Sequence, residues 1–179
     1  MPRSSWVETL MVSEGDGPAL TTNGVSTSIL ASQAKFRLDP NFFNRIGKSI
    51  RICAYGRETQ LAVGTTTHAI SVLFGGTVVF TSVFTNSATA KTDQTWMLDL
   101  TLTARAIGPT ANLMGAGMIQ GINAGSVTIM IVGTLPPTAP AVGNNFDATA
   151  SQVVDLNATI TTTGISSFQL NQYILESLN

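Results

Sequence analysis

The sequence has little charge and a single cysteine. Asp, Glu, Lys and Arg make up 11% of its 179 residues, against about 25% in a typical soluble domain. One cysteine, Cys53, excludes an internal disulfide. The nine basic side chains form no basic stripe, and a protein that binds the phosphate backbone of nucleic acid needs one. Nucleic acid is therefore not an expected partner.

Two long stretches carry no charged residue at all. The first runs from Thr59 to Ala90, where His68 is the only titratable side chain, and the second runs from Ala106 to Phe146. Dispersed charges keep folded proteins apart in solution, and a monomer without them tends to associate. The sequence therefore predicts an obligate oligomer or a component of a larger shell.

Long apolar runs and a secretion signal are also missing. Glycines and prolines interrupt the second uncharged stretch, so no segment of about 18 apolar residues is left to span a bilayer. The first 17 residues contain Glu8, Glu14 and Asp16 and have no apolar core before a small-residue cleavage site. We expect no membrane partner.

Hydroxyl side chains and a two-residue periodicity are present instead. The chain has 15 serines and 25 threonines. Between Gln94 and Ile107, apolar residues that begin with Trp96 alternate with residues that are mostly polar, which is typical of a strand with one buried face. Further strands are expected at 25–30, 35–38, 48–57, 68–74, 77–84, 113–122, 127–132, 153–161 and 167–175.

Glycine, asparagine and proline separate these strands. The only segment predicted to be helical is a single turn at 41–45. Gly75-Gly76 joins two strands as a tight hairpin, since both residues tolerate positive φ. An all-β chain of this kind folds as a sandwich or a barrel. In a sandwich, the Trp96 row would face Ile50 and Ile52, or Phe168 and Leu170, across the core.

Two segments fall outside the alternation, and they set the predicted domain organisation. Residues 1–24 are expected to form an extended N-terminal arm, and residues 25–179 a single β-sandwich domain. Residues 133–147 contain three prolines and are not expected to continue a ladder. Their apolar residues suggest a Pro-rich excursion that buries itself against a neighbouring molecule.

No motif for catalysis or for cofactor binding is found. His68 is the only histidine and no G-x-S-x-G segment occurs, so His68 is interpreted as a strand-edge histidine and Cys53 as a small buried hydrophobe. The glycines at 115–121 lack the spacing and the lysine of a phosphate loop. The acidic residues are too scattered for a metal loop. We expect no enzyme activity, no cofactor and no metal.

The stretch that begins at Leu38 resembles a pattern found in virion structural proteins of tailed bacteriophages. The segments that carry the resemblance are DPNFFNRIGKSIRICAYGRETQ, HAISVLFGGTVVFTS and TWMLDLTLTARAIG, in that order. The matching positions are Phe43, Gly47, Lys48, Ile50, Ala54, Gly56, Phe74, Gly75, Trp96, Leu98, Leu102, Arg105 and Gly108. The C-terminal residues Asn171, Leu175 and Leu178-Asn179 also suit such proteins.

The resemblance implies a jelly-roll-like antiparallel β-sandwich that assembles as a homotrimer in the virion. Such proteins serve as capsid cement or decoration proteins on the outer head surface, or as tail fibre, knob or baseplate modules that contact the host. The absence of a coiled-coil or repetitive shaft segment favours the head, with the major capsid protein as partner and synthesis in the host cytoplasm. The residues expected at an oligomer or shell interface are Trp6, Leu10, Met11, Leu135, Pro136, Pro137, Val142 and Phe146.

Overall fold

A computed structural model describes residues 6–61, 65–86, 90–122, 130–161 and 165–178. Within these ranges the secondary structure consists of eleven strands and two 3₁₀ turns, Ser32–Ala34 and Gly108–Thr110. None of the described residues belongs to a helix that could cross a membrane. The strands are β1 (Val7–Val12), β2 (Thr27–Ser28), β3 (Arg37–Leu38), β4 (Ser49–Gln60), β5 (Thr66–Phe74), β6 (Thr77–Asn86), β7 (Lys91–Ala106), β8 (Asn112–Ile122), β9 (Met130–Leu135), β10 (Gln152–Thr161) and β11 (Ile165–Leu178).

The strands form two antiparallel sheets. The larger sheet has the order β1-β11-β4-β7-β8-β9, and the smaller has the order β2-β10-β5-β6, with β3 also pairing with β10. Burial alternates along β4, β5, β7 and β10, so each sheet turns one face toward a shared apolar core. The predicted all-β, antiparallel sandwich is confirmed.

The Trp96 ring does stack on Phe168, but the prediction that the Trp96 row faces its partners from another sheet was wrong. Trp96 pairs with Gly56 of β4, and β4 pairs on its other side with β11. The rows that contain Trp96, Ile52 and Leu170 therefore lie on the same face of the larger sheet. They pack against the smaller sheet, whose inward residues include Ile70 and Leu156. A period of two indicates which face of a strand is buried and leaves the facing sheet undetermined.

The N-terminal segment is extended and lies along the sandwich. Val7–Val12 pairs with β11 at one edge of the larger sheet. Leu20 is buried and exchanges backbone hydrogen bonds with Phe168. Residues 1–5 of the predicted arm, like residues 127–129 of the predicted strand 127–132, lie outside the described residues.

The Pro-rich segment begins inside the sheet, contrary to the prediction. Residues 133–135 complete β9, and Pro136, which cannot donate a ladder hydrogen bond, follows directly. The chain then returns across β8, where Val142 bridges to Met114. Phe146 is buried and packs edge-on against Phe74, with ring centroids 5.0 Å apart. The segment therefore covers its own core.

The predicted helical turn at 41–45 is also wrong. This segment forms irregular turns, and Asn41 adopts a left-handed backbone with φ of 61°, a conformation that asparagine tolerates better than most residues. The turn directs Phe43 into the core, where its ring stacks on that of Phe74 at 5.8 Å.

Candidate functional site

The two uncharged stretches of the sequence meet on one side of the sandwich. Strand β6 comes from the first stretch, whereas β8, β9 and the loop 136–146 come from the second. β6 and β9 are the terminal strands of the two sheets on this side, and β6 packs against both β8 and β9. We call the surface formed by β6, β8, β9 and residues 136–146 the uncharged flank.

The uncharged flank exposes apolar side chains beside open strand edges. Val132 is 56% exposed and Val142 is 48% exposed, and Val83 and Met118 are also exposed. Natural edge strands usually carry charges or proline that prevent pairing with other chains. Neither β6 nor β9 contains a charged residue or a proline. This flank therefore has the properties of a surface that is covered in an assembly.

A groove of about 290 Å³ lies in the flank between β6 and the Pro-rich loop. Gly143 donates its backbone N–H to the Leu113 carbonyl at 2.8 Å, and the Asn144 side-chain amide donates to the Val78 carbonyl at 3.0 Å. The first bond holds the loop against β8 and the second holds it against β6, so both strands position the loop wall of the groove. Its lining residues are Val78, Phe80, Thr81, Pro136, Thr138, Ala139, Ala141, Val142, Gly143 and Asn144.

The structure separates the sequence-predicted interface residues into three groups. Leu135 and Phe146 lie within the core, so packing in the same chain accounts for them. Leu10 and Met11 are half-buried against the core.

The remaining four predicted residues reach the surface. Pro136 and Val142 meet in the groove, and Pro137 is exposed nearby. Trp6 is 65% exposed at the opposite edge of the larger sheet, next to β1. A role for these four in an interface stays a prediction.

A buried ionic cluster was missed by the sequence analysis. His68 is fully buried and not at a strand edge; its Nε2 lies 3.1 Å from Glu58 Oε1. Lys91 Nζ lies 3.7 Å from Glu58 Oε2, and the His68 ring stacks on Phe84 with centroids 4.7 Å apart. The alternation in the sequence could have indicated this cluster. Glu58 lies on the same inward face of β4 as Ile52, and His68 lies on the same inward face of β5 as Ile70.

Electrostatic interactions within this cluster stabilise the charged forms of Glu58 and Lys91. Burial raises the pKa of Glu58, but the hydrogen bond and electrostatic interaction with His68 and those with Lys91 outweigh it and leave that pKa below its usual value. Burial lowers the pKa of Lys91, and the Glu58 carboxylate offsets part of this effect. A buried lysine depends on its partner carboxylate to remain charged.

Both aromatic rings and unpaired polar groups surround the cluster. Thr66 Oγ1, Ser82 Oγ and His68 Nδ1 are buried and have no hydrogen-bond partner among the described residues. A void of about 20 Å³ beside Glu58 and Lys91 has room for one water molecule. No group of three metal-ligating side chains occurs in the described ranges. The geometry suits a structural network that ties β4, β5 and β7 together.

Cys53 lies in a more polar environment than predicted. It is half-buried on the outer face of the larger sheet, opposite Asp99. Asp99 forms two hydrogen bonds with Arg51, at 2.9 and 2.6 Å. Burial raises the pKa of the Cys53 thiol, which therefore remains protonated and weakly reactive at neutral pH.

A second pocket, of about 420 Å³, lies at the edge near β1 and the turn 40–44. Leu10, Phe36 and Phe42 are its apolar residues, and they pack against the core. Its polar residues are Glu8, Asp39, Asn41, Asn44 and Lys48. Apolar residues combined with several hydrogen-bonding groups are typical of small-ligand pockets.

No family model matches this chain, and no curated protein matches it. Among solved structures, one similar chain is described as "Structure of the CBM2 module of Lactobacillus casei BL23 phage J-1 evolved Dit". The two share 10% sequence identity, the match covers 99% of this chain and 98% of that chain, and the TM-score is 0.38. That score is too low to establish a shared fold, and the likeness carries no weight for function.

Proposed function

We propose that this chain is a structural virion protein of a tailed bacteriophage, without catalytic activity, that assembles through its uncharged flank. The observation that supports the proposal is the convergence of two distant uncharged stretches on one exposed side of the sandwich. A surface of this composition is stable when a partner excludes water from it. Together with the resemblance of residues 38–108 to virion proteins, it favours a building block of a larger particle.

The proposed position is the outer surface of the head, where a homotrimer acts as a cement or decoration protein. A cement protein must cover joints between shell subunits without forming open fibres. Closed cyclic symmetry limits growth in this way, since every subunit buries the same two surfaces against its neighbours and none is left over. The major capsid protein would bind surfaces that remain exposed after the trimer has formed.

Substitution of Val132 tests the role of the flank. We expect the wild-type protein to be a trimer by native mass spectrometry, and Val132→Lys to be a monomer, because a lysine would bury its charge in the interface. Val25→Lys is the matched control, since Val25 is 52% exposed but precedes β2, on the other side of the smaller sheet. It should remain a trimer. A monomeric wild-type protein at high concentration would contradict the proposal.

The alternative is a tail fibre, knob or baseplate module that contacts the host surface, and the pocket near β1 favours it. Carboxylates only accept hydrogen bonds, whereas amides donate and accept, and sugar hydroxyls do both. Phe36 offers apolar surface to the C–H face of a sugar ring, and Lys48, which lies over the Phe42 ring at 4.5 Å, adds a hydrogen-bond donor. Binding on an array of bacterial surface glycans, lost in Asp39→Ala and Asn44→Ala, would support this alternative. An array without a binder would count against it.

A further inference from the structure

We propose that Trp6 of one copy of the chain docks into the groove of the next copy, between β6 and the Pro-rich loop. The inference rests on the proposed assembly through the uncharged flank and specifies which two surfaces meet. Trp6 is the most exposed aromatic side chain among the described residues. The described ranges of its own chain leave 65% of it exposed.

Trp6 cannot reach the groove of its own chain. Val7, its neighbour, is held in β1, and Val142 lines the groove at the opposite end of a continuous row of residues across the larger sheet. Five strand-to-strand steps of about 4.8 Å separate the two ends, a distance of about 24 Å. The row consists of Val7, Leu178, Ser49, Thr103, Met114 and Val142.

The groove suits an indole ring in size and in charge. Its volume is about 290 Å³, and a cavity of about 150 Å³ accommodates benzene. None of its lining residues is charged, so a neutral aromatic ring leaves no buried charge unpaired. The Asn144 amide nitrogen already donates to Val78, which leaves Asn144 Oδ1 to accept a hydrogen bond from the indole N–H.

Trp6 and the groove lie at opposite edges of the sandwich, and this determines the type of contact between copies. Trp6 lies beside β1, whereas the groove lies at the edge formed by β6 and β9, so each copy offers a different surface to each of its two neighbours. Such a contact is heterologous, and it produces a ring when the rotation between copies closes. Three copies would close the proposed homotrimer.

Complementation between two variants tests this contact. Trp6→Ala removes the inserted side chain and keeps the groove, whereas Val142→Lys blocks the groove and keeps Trp6. Loss of an aromatic hot spot weakens association about 30-fold or more, so each variant alone should be monomeric by native mass spectrometry. When mixed, they retain one intact contact and should form a 1:1 heterodimer. Each variant mixed with an isotope-labelled copy of itself has no complementary partner, and this mixture is the control for non-specific association.

The outcomes separate this inference from the proposed function. Trimers of both single variants would overturn the docking of Trp6 and leave assembly through the flank in place. Monomeric variants that stay monomeric when mixed, with unchanged circular dichroism and melting, would also overturn it, because a heterologous contact must be rescued. A monomeric wild-type protein would overturn both proposals.

Discussion

Replacement of Glu58 by glutamine is expected to lower the free energy of unfolding by about 3–5 kcal/mol. The substitution preserves the size of the side chain and removes the only carboxylate that the described structure places beside His68 and Lys91. The ammonium group of Lys91 would then remain buried without a counter-charge. Urea unfolding at equal protein concentrations measures the effect, since association also stabilises the folded state.

Asp93→Asn is the matched control, because it also removes one carboxylate from an ion pair. Asp93 lies 3.9 Å from Arg57, with both side chains well exposed, and exposed pairs of this kind contribute about 0–1 kcal/mol. A loss in Glu58→Gln no larger than that in Asp93→Asn would contradict the structural role of the buried cluster.

The same cluster should make the free energy of unfolding depend on pH. The pKa of Glu58 is lower in the folded chain than in the unfolded chain, so its contribution is present above the unfolded value of about 4.3 and is lost as the pH falls through the folded value. Asp99, whose pKa the Arg51 hydrogen bond lowers, adds a contribution of the same sign. In Glu58→Gln the free energy of unfolding should therefore fall less steeply with decreasing pH than in the wild type. Some dependence should remain, because Asp99 also contributes. An unchanged slope would contradict this assignment.

Gly56→Ala should cause the second large effect, a loss of about 3 kcal/mol in the free energy of unfolding. A Cβ at this position would overlap both the Gln169 carbonyl oxygen and the Trp96 ring. That ring stacks on Phe168, with centroids 4.6 Å apart and an angle of 5° between the planes. Because the Gln169 backbone lies against the site and the Trp96 ring is itself packed on Phe168, the overlap can be relieved only by moving a strand.

Gly121 provides the control on the other side of the same tryptophan. It pairs with Trp96 from β8, and a Cβ there would lie 3.8 Å from its nearest atom, the Thr95 carbonyl oxygen. Gly121→Ala should therefore change stability by no more than about 1 kcal/mol, with a gain expected from the stiffer unfolded chain. Equal losses in the two variants would show that Gly56 is not a close-packing position. Thermal and urea unfolding with tryptophan fluorescence would report both.

The sequence predicted most of the strands, because burial alternates along them, but it assigned β1, where burial does not alternate, to the extended arm. The Gly75-Gly76 hairpin is confirmed, with φ of 55° and 93° at the two glycines. Partner strands could not be predicted, since a period of two carries no information on which strand lies alongside. The Trp96 row was therefore assigned to a facing sheet, although β4 lies directly beside β7.

The buried cluster could be predicted only in part. The alternation places Glu58 and His68 on inward faces, but a charged side chain on an inward face is stable only with a partner. That partner, Lys91, begins β7 and becomes a neighbour through the pairing of Gln60 with Lys91. The groove could not be predicted from the sequence either, because it forms where loop 136–146 folds back onto β6.

The number of copies of this chain per purified phage particle tests the proposed function most directly. Quantitative mass spectrometry against the major capsid protein provides that number. We predict a copy number comparable to that of the capsid subunit, as a cement protein at every joint of the shell requires. A number many times lower would contradict the cement role and place the chain in the tail or at a single vertex.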